Sequence, residues 1–254
     1  MIYYFTGTGN TRYAAEKAAA FDGDAVLYAP DVISGRAVAP LEGKTNVIGF
    51  FFPTYFFGLP VIAEQLLKVL SLSAVHGRYI YLVLTCGSTT GGASRQMSKL
   101  LKKYGCELSA CYSVRMPDNY VPMFKIDKPE TIRKTLDNAD AALSQICESI
   151  HNRETGDHDR LKGVIPPALT AMSYPLYLRG RKTEPFHASA DCTGCGKCAR
   201  ECPVSAISIE DGLPVWTAAQ CVFCMRCLHS CPVSAIDYGT KTRARGRYTN
   251  PNVK

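Results

Sequence analysis

The chain has 254 residues, 46% of them hydrophobic and 20% charged, with a formal net charge of +7. This is the make-up of a soluble globular protein of one large or two modest domains, and it excludes a small secreted domain held by disulfides. The longest apolar stretch, residues 164–178, contains Pro166, Pro167 and Pro175 and falls short of the ~20 residues a membrane span needs.

The first residues read directly as a strand, residues 2–5, with no basic-then-apolar leader, so a cytoplasmic, reducing compartment is expected. A helical pattern follows over 10–20 and a short strand over 25–28. Residues 46–52 are a continuous apolar run, typical of a strand buried on both faces. Next come a helix over 61–70, with Ile62, Leu66, Val69 and Leu70 on one face, a strand over 79–84, a helix over 93–104 and a strand over 108–114. Residues 131–150 form a longer helix with Ile132, Leu136, Ala139, Leu143, Ile146 and Ile150 at helical spacing. This alternation predicts a parallel sheet with helices on both faces. Ligands of such sheets bind outside the carboxyl ends of the strands, so the loops after the strands are where chemistry is expected.

The loop after the first strand is Thr6-Gly7-Thr8-Gly9-Asn10-Thr11. It lacks the Gly-Lys-Ser/Thr end of a Walker loop and the third glycine of a dinucleotide fingerprint. What remains is a loop of hydroxyl side chains and backbone amides at a helix start, a phosphate cradle built from neutral donors. It resembles the phosphate loop of flavodoxins. The next strand leads into Pro53-Thr54-Tyr55-Phe56-Phe57-Gly58, in the position of the flavodoxin ring-stacking loop, with Tyr55 the leading candidate to meet a flavin ring. The strand after that ends in Thr85-Cys86-Gly87, and Gly91 and Gly92 follow. The resemblance implies that amides of this loop bond the pyrimidine edge of the flavin, and that the flavin is FMN. Met116-Pro117-Asp118-Asn119-Tyr120 follows another strand end, where its turn residues can be structural. Its location also permits a flavin or interface contact, with Asn119 the candidate.

Eight of the twelve cysteines fall into one pattern written twice. The first copy is Cys192-x-x-Cys195-x-x-Cys198-x-x-x-Cys202-Pro203, the second Cys221-x-x-Cys224-x-x-Cys227-x-x-x-Cys231-Pro232. This is the run that binds two [4Fe–4S] clusters in bacterial ferredoxins, where the fourth cysteine ligates the other cluster. The assignment is therefore Cys192, Cys195, Cys198 and Cys231 for cluster 1, and Cys221, Cys224, Cys227 and Cys202 for cluster 2. Zinc sites usually show two cysteine pairs separated by a longer spacer, and they do not require the third cysteine inside each run. Cys-Pro-Val-Ser-Ala-Ile recurs at 202–207 and 231–236, so two half-domains with pseudo-twofold symmetry are expected. Gly194 and Gly196 allow close backbone approach and unusual dihedrals. The scattered Cys86, Cys106, Cys111 and Cys147 read as small buried hydrophobes, with Cys86 placed where it could touch the flavin. The five histidines show no metal-like spacing.

The positive charge suggests nucleic acid at first sight. An oxidised cluster with four thiolates carries a net charge of about −2, so two clusters and a flavin phosphate remove most of the excess. The basic stretch 241–248 reads as a solvated tail or a wrap around the acidic clusters, and no nucleic-acid partner is expected.

Taken end to end, the chain resembles a family of fusion proteins, mainly from anaerobic microbes, that join a flavodoxin-like domain to a bacterial two-cluster ferredoxin. The resemblance implies a flavodoxin-like doubly wound five-stranded parallel sheet over 1–151, then a small α+β ferredoxin-like domain over 185–240. Residues 152–184 are expected to be a linker or interface segment and 241–254 a basic C-terminal tail. Implied cofactors are FMN and two [4Fe–4S] clusters. The implied function is electron transfer between them and a soluble redox partner protein. Two alternatives are a flavin-dependent reductase of a small substrate fed by the clusters and, opposed by the cysteine register, a structural metal- or nucleic-acid-binding module. A head-to-tail homodimer, in which one subunit's ferredoxin meets another's flavin, is a further expectation.

Overall fold

The computed structural model describes residues 1–38, 46–72 and 76–253; Lys254, the end of the expected tail, lies outside the described residues. The sheet runs β2(Val26–Tyr28), β1(Ile2–Tyr4), β3(Val47–Pro53), β4(Tyr79–Cys86), β5(Ala110–Arg115) and β6(Gly156–His158), in that spatial order. All neighbours pair in parallel. The order 2-1-3-4-5 is the flavodoxin-like form of the doubly wound sheet. It carries one strand more than the five expected. The sixth, β6, comes from the segment expected to link the domains and pairs with β5 at Ala110, Cys111 and Tyr112.

The apolar runs of β3 and β4 are explained by burial on both faces. Phe50, Phe52, Ile80, Leu82 and Leu84 face one core, against Ile62, Ala63, Leu66 and Leu67 of α3(Val61–Val69) and Met97 and Leu101 of α4(Ala93–Lys102). Their sequence neighbours Phe51, Tyr81 and Val83 face the other, against α1(Asn10–Asp22) and α5(Pro129–His151). Helix α1 buries alanines, Ala14, Ala15, Ala18 and Ala19, which lets it lie close on the sheet, and the short α2(Ala29–Ile33) follows β2 directly.

Helix α6(Pro166–Gly180) opens with Pro at its first turn and carries Pro175 inside. Tyr174 Oη donates to Leu59 O at 2.8 Å, and Tyr177 Oη donates to Val222 O at 3.1 Å while accepting from Val61 N–H at 3.3 Å. The helix thus wedges between the loop after β3 and the second cysteine run. Among the described residues, no helix is long and apolar enough to cross a membrane.

The cysteine region is a small α+β unit. β7(Phe186–Ala188) pairs antiparallel with β10(Ile236–Tyr238), and β8(Ile207–Glu210) with β9(Leu213–Trp216); between them sit α7(Lys197–Arg200) and α8(Arg226–His229). The sequence repeat is a repeat of conformation. Ser205 and Ser234 both take positive φ, 50° and 52°, and the amides of Ala206 and Ala235 donate to Cys202 Sγ at 3.2 Å and Cys231 Sγ at 3.3 Å. Phe186, Phe223, Leu228 and Ile236 form its core, which continues into Val121 and Tyr177.

Candidate functional site

Cys202, Cys221, Cys224 and Cys227 line one small cavity, closed by apolar side chains such as Val204, Ile207 and Trp216 and by Arg226. Three of these cysteines come from the second run and one from the first. Burial pushes the Cys224 thiol up to about 12. Cys227 is pushed well above the usual thiol range by burial, then by Cys224, Cys221, Cys202 and Cys198 around it. Four thiolates are costly in such a place unless a cationic core compensates them, and an iron–sulfur cluster supplies one, so the donor set fits the group. Among the described residues, no group of three or more His, Cys, Asp or Glu is placed to hold a single metal ion.

The first run is more open. Cys198 is pushed up by burial, with Cys192 and Cys195 acting in the same direction. Cys195 is exposed, and the Lys197 amide holds its thiol below the usual range. Cys198 and Cys231 both pack against the core that Phe223 and Leu228 share.

A second cavity, of about 380 Å³, opens at the carboxyl ends of the parallel strands. Thr6, Gly7, Thr8, Asn10 and Thr11 line it, with Pro53, Thr54, Tyr55, Phe56 and Phe57, then Thr85, Cys86 and Gly87, and Asn119. The four loops expected to meet a flavin therefore converge. Four of the candidate residues stand behind the wall. Gly9 caps α1 at φ 98°. Gly58 closes a tight turn with Tyr55 through paired backbone bonds of 2.8 and 3.0 Å. Gly91 packs against Phe57, and the Gly92 amide donates to Thr170 Oγ1 of α6 at 2.7 Å.

The cavity suits an amphipathic, flat ligand with an anionic end. Thr54 Oγ1 is buried with no hydrogen-bond partner on a residue of the lining, so it is free to bond a ligand. Thr11 and Thr85 share a hydroxyl bond of 2.7 Å. Phe56 is stacked on Tyr177 at 5.9 Å and meets Tyr120 edge-on at 5.5 Å. Among the described residues, Asp118 is the only charged side chain of the lining, and no Lys, Arg or His belongs to it.

Sequence reasoning missed the walls given by other parts of the chain. Tyr177 of α6 and Phe223, Cys224 and Met225 of the second cysteine run also line this cavity. Cys224 therefore lines both cavities. The two units touch through backbone here. A Cβ on Gly7 would lie 2.4 Å from Cys224 O, so the glycine is needed for the close approach as well as for the loop.

The basic tail keeps Lys241 and Arg243 exposed but is tied down beyond them. After a short 3-10 turn, Thr242–Arg245, it crosses the boundary of the two units. Arg245 donates to Val121 O at 2.8 Å. Arg247 bonds the buried Asp237 at 2.7 Å and Ile236 O at 2.8 Å. Residues 248–253 then lie on the loop after β1, where the Asn250 amide donates to Thr8 O at 2.8 Å.

Residues 191–236 match the family described as 4Fe-4S dicluster domain. The chain joins a flavodoxin-like sheet to an iron–sulfur ferredoxin domain. No curated protein matches it. Similar solved structures include the Trp repressor binding protein from Bacillus subtilis, 16% identical over 56% of this chain and 96% of that one, with a TM-score of 0.39. The flavodoxin, WrbA-like protein from Agrobacterium tumefaciens is 14% identical over 60% and 97%, with a TM-score of 0.41. Megasphaera elsdenii flavodoxin is 18% identical over 57% and 99%, with a TM-score of 0.33. The strand order, rather than these scores, establishes the doubly wound sheet of this fusion.

Proposed function

We propose that this flavodoxin–ferredoxin fusion transfers electrons between FMN in the cavity at the strand ends and two [4Fe–4S] clusters, and exchanges them with a soluble redox partner protein. The observation that carries the reading is Cys224, which lines both cavities. When bound, FMN takes up one or two electrons and each cluster passes one. The residues do the rest. The loop after β1 receives the phosphate on neutral donors, and the aromatic loop after β3 receives the ring. The second cysteine run, with Cys202, would hold one cluster, and Cys224 brings that run to the wall of the flavin cavity. The first run, with Cys231, holds the outer cluster, and the exposed Cys195 marks the side from which a partner reaches it. Because Cys224 belongs to the same chain as the flavin loops, transfer within one chain is favoured over transfer between subunits. Cluster thiolates fit a reducing compartment such as the cytoplasm.

Purification without oxygen, with iron, sulfide and flavin quantified together, tests the proposal. We expect about eight irons and one FMN per chain, eight being four irons in each of two clusters. Iron and sulfide at that level with no flavin, in protein never exposed to denaturant, would sink the FMN half.

A further inference from the structure

We propose that residues 248–253 are a working part of the phosphate site and set its preference for FMN over riboflavin, the same flavin without the phosphate. The proposal rests on the reading of the cavity as an FMN site.

Among the described residues, that cavity has no cationic side chain in its lining. A phosphate there is held by amide and hydroxyl dipoles alone, at the start of α1, whose first amides have no carbonyl of their own helix to bond. Dipoles, unlike a full charge, lose their effect quickly when misdirected. Affinity therefore depends on what holds the donors in place, and residues 248–253 do so at three points. The first is the peptide between Thr8 and Gly9, fixed at both ends. Its carbonyl accepts from the Asn250 amide at 2.8 Å, and its N–H donates to Thr6 Oγ1 at 3.0 Å. The second is the Asn10 side chain. Its Oδ1 accepts from Tyr248 Oη at 2.6 Å and Asn250 Nδ2 at 3.1 Å, while its Nδ2 donates to Pro117 O at 3.0 Å.

The third point runs through the second cysteine run. The Tyr248 amide donates to His229 Nδ1 at 3.1 Å, and His229 Nε2 donates to Asn119 O at 2.8 Å. Asn119 Nδ2 donates to Thr8 Oγ1 at 2.6 Å, which leaves the Thr8 hydroxyl proton for an incoming oxygen. Tyr248, Asn250 and His229 are all buried, and none of them lines the cavity. They are positioning residues. The packing is tight: a Cβ on Gly9 would stand 3.1 Å from that of Asn250 and 3.6 Å from that of Val253.

The test compares two flavins on the full chain, loaded with clusters and freed of flavin. Tyr248→Phe removes one hydroxyl and Asn250→Ala one side-chain amide. In each variant the FMN Kd should rise severalfold, up to about tenfold, the ceiling set by one buried hydrogen bond, while the riboflavin Kd and the cluster absorbance stay at wild-type values. An equal weakening of both flavins, or no change in either, overturns the proposal. If Asn250→Ala loses its clusters, Tyr248→Phe alone decides. Wild-type protein that binds neither flavin is a separate result, which overturns the FMN reading of the cavity itself.

Discussion

Arg226 is the charged residue closest to the question of potential. It lines the cavity of Cys202, Cys221, Cys224 and Cys227. Its guanidinium bonds Tyr28 Oη and Glu201 Oε2, each at 3.3 Å, and lies 5.8 Å from the centre of the Tyr28 ring. It is therefore fixed by β2, by the first cysteine run and by its own helix. A cluster gains one negative charge on reduction, and a fixed cation beside it favours the reduced form. Replacing Arg226 by Leu should lower the potential of the cluster proposed beside it by roughly 50 mV, a tenfold change in equilibrium being about 59 mV for one electron. A redox titration followed by EPR reads it; two unshifted clusters would remove Arg226 from the list of tuning groups. None of this was legible beforehand, because a lone Arg inside a motif has the same appearance whether it faces solvent or a cluster.

At the scale of elements, the parallel strands were readable because burial on both faces leaves a continuous apolar run, as in β3 and β4. Helix α5 was readable from its apolar spacing and α1 from its place between strands. The two elements between the units were not. β6 is Gly156-Asp157-His158, an edge strand with no apolar side chain to announce it. Helix α6 has prolines at both its start and Pro175, and its apolar residues do not gather on one face: Met172 and Leu176 are exposed while Tyr177 is buried. Yet α6 clamps the aromatic loop to the cysteine run through Tyr177. Tyr177→Phe keeps the ring and leaves Val222 O without its donor, which should cost about 1–3 kcal/mol. A thermal melt should show a Tm several degrees lower; an unchanged Tm would mean that the clamp adds nothing to stability.

Across the whole molecule, the proposed exchange of fourth ligands, drawn from the cysteine spacing and from Cys202 in the cavity of the second run, makes a selective test. Cys202→Ser should damage the cluster held by Cys221, Cys224 and Cys227, and Cys231→Ser the one held by Cys192, Cys195 and Cys198. EPR of each variant distinguishes the clusters by their unequal burial, and loss of the cluster within the same run as the substitution would refute the exchange. The candidate flavin loops were legible for a related reason, since each sits at a strand end of a recognisable sheet. What spacing could not convey was the seam between the units. The approach of Gly7 to Cys224, and of residues 248–253 to the loop after β1, joins positions far apart in sequence, and no local pattern of residues records such contacts.

That seam also sets an order of events during synthesis. Asn10 and its partner Asn250 are 240 positions apart. At about 5–20 residues per second, the ribosome finishes the sheet's first loop on the order of ten seconds or more before residue 250 is made. The loop then waits, open, while the rest of the chain emerges. The proposed phosphate cradle is accordingly completed late in synthesis, and a chain broken off before Tyr248 would leave the ribosome with that cradle unfinished.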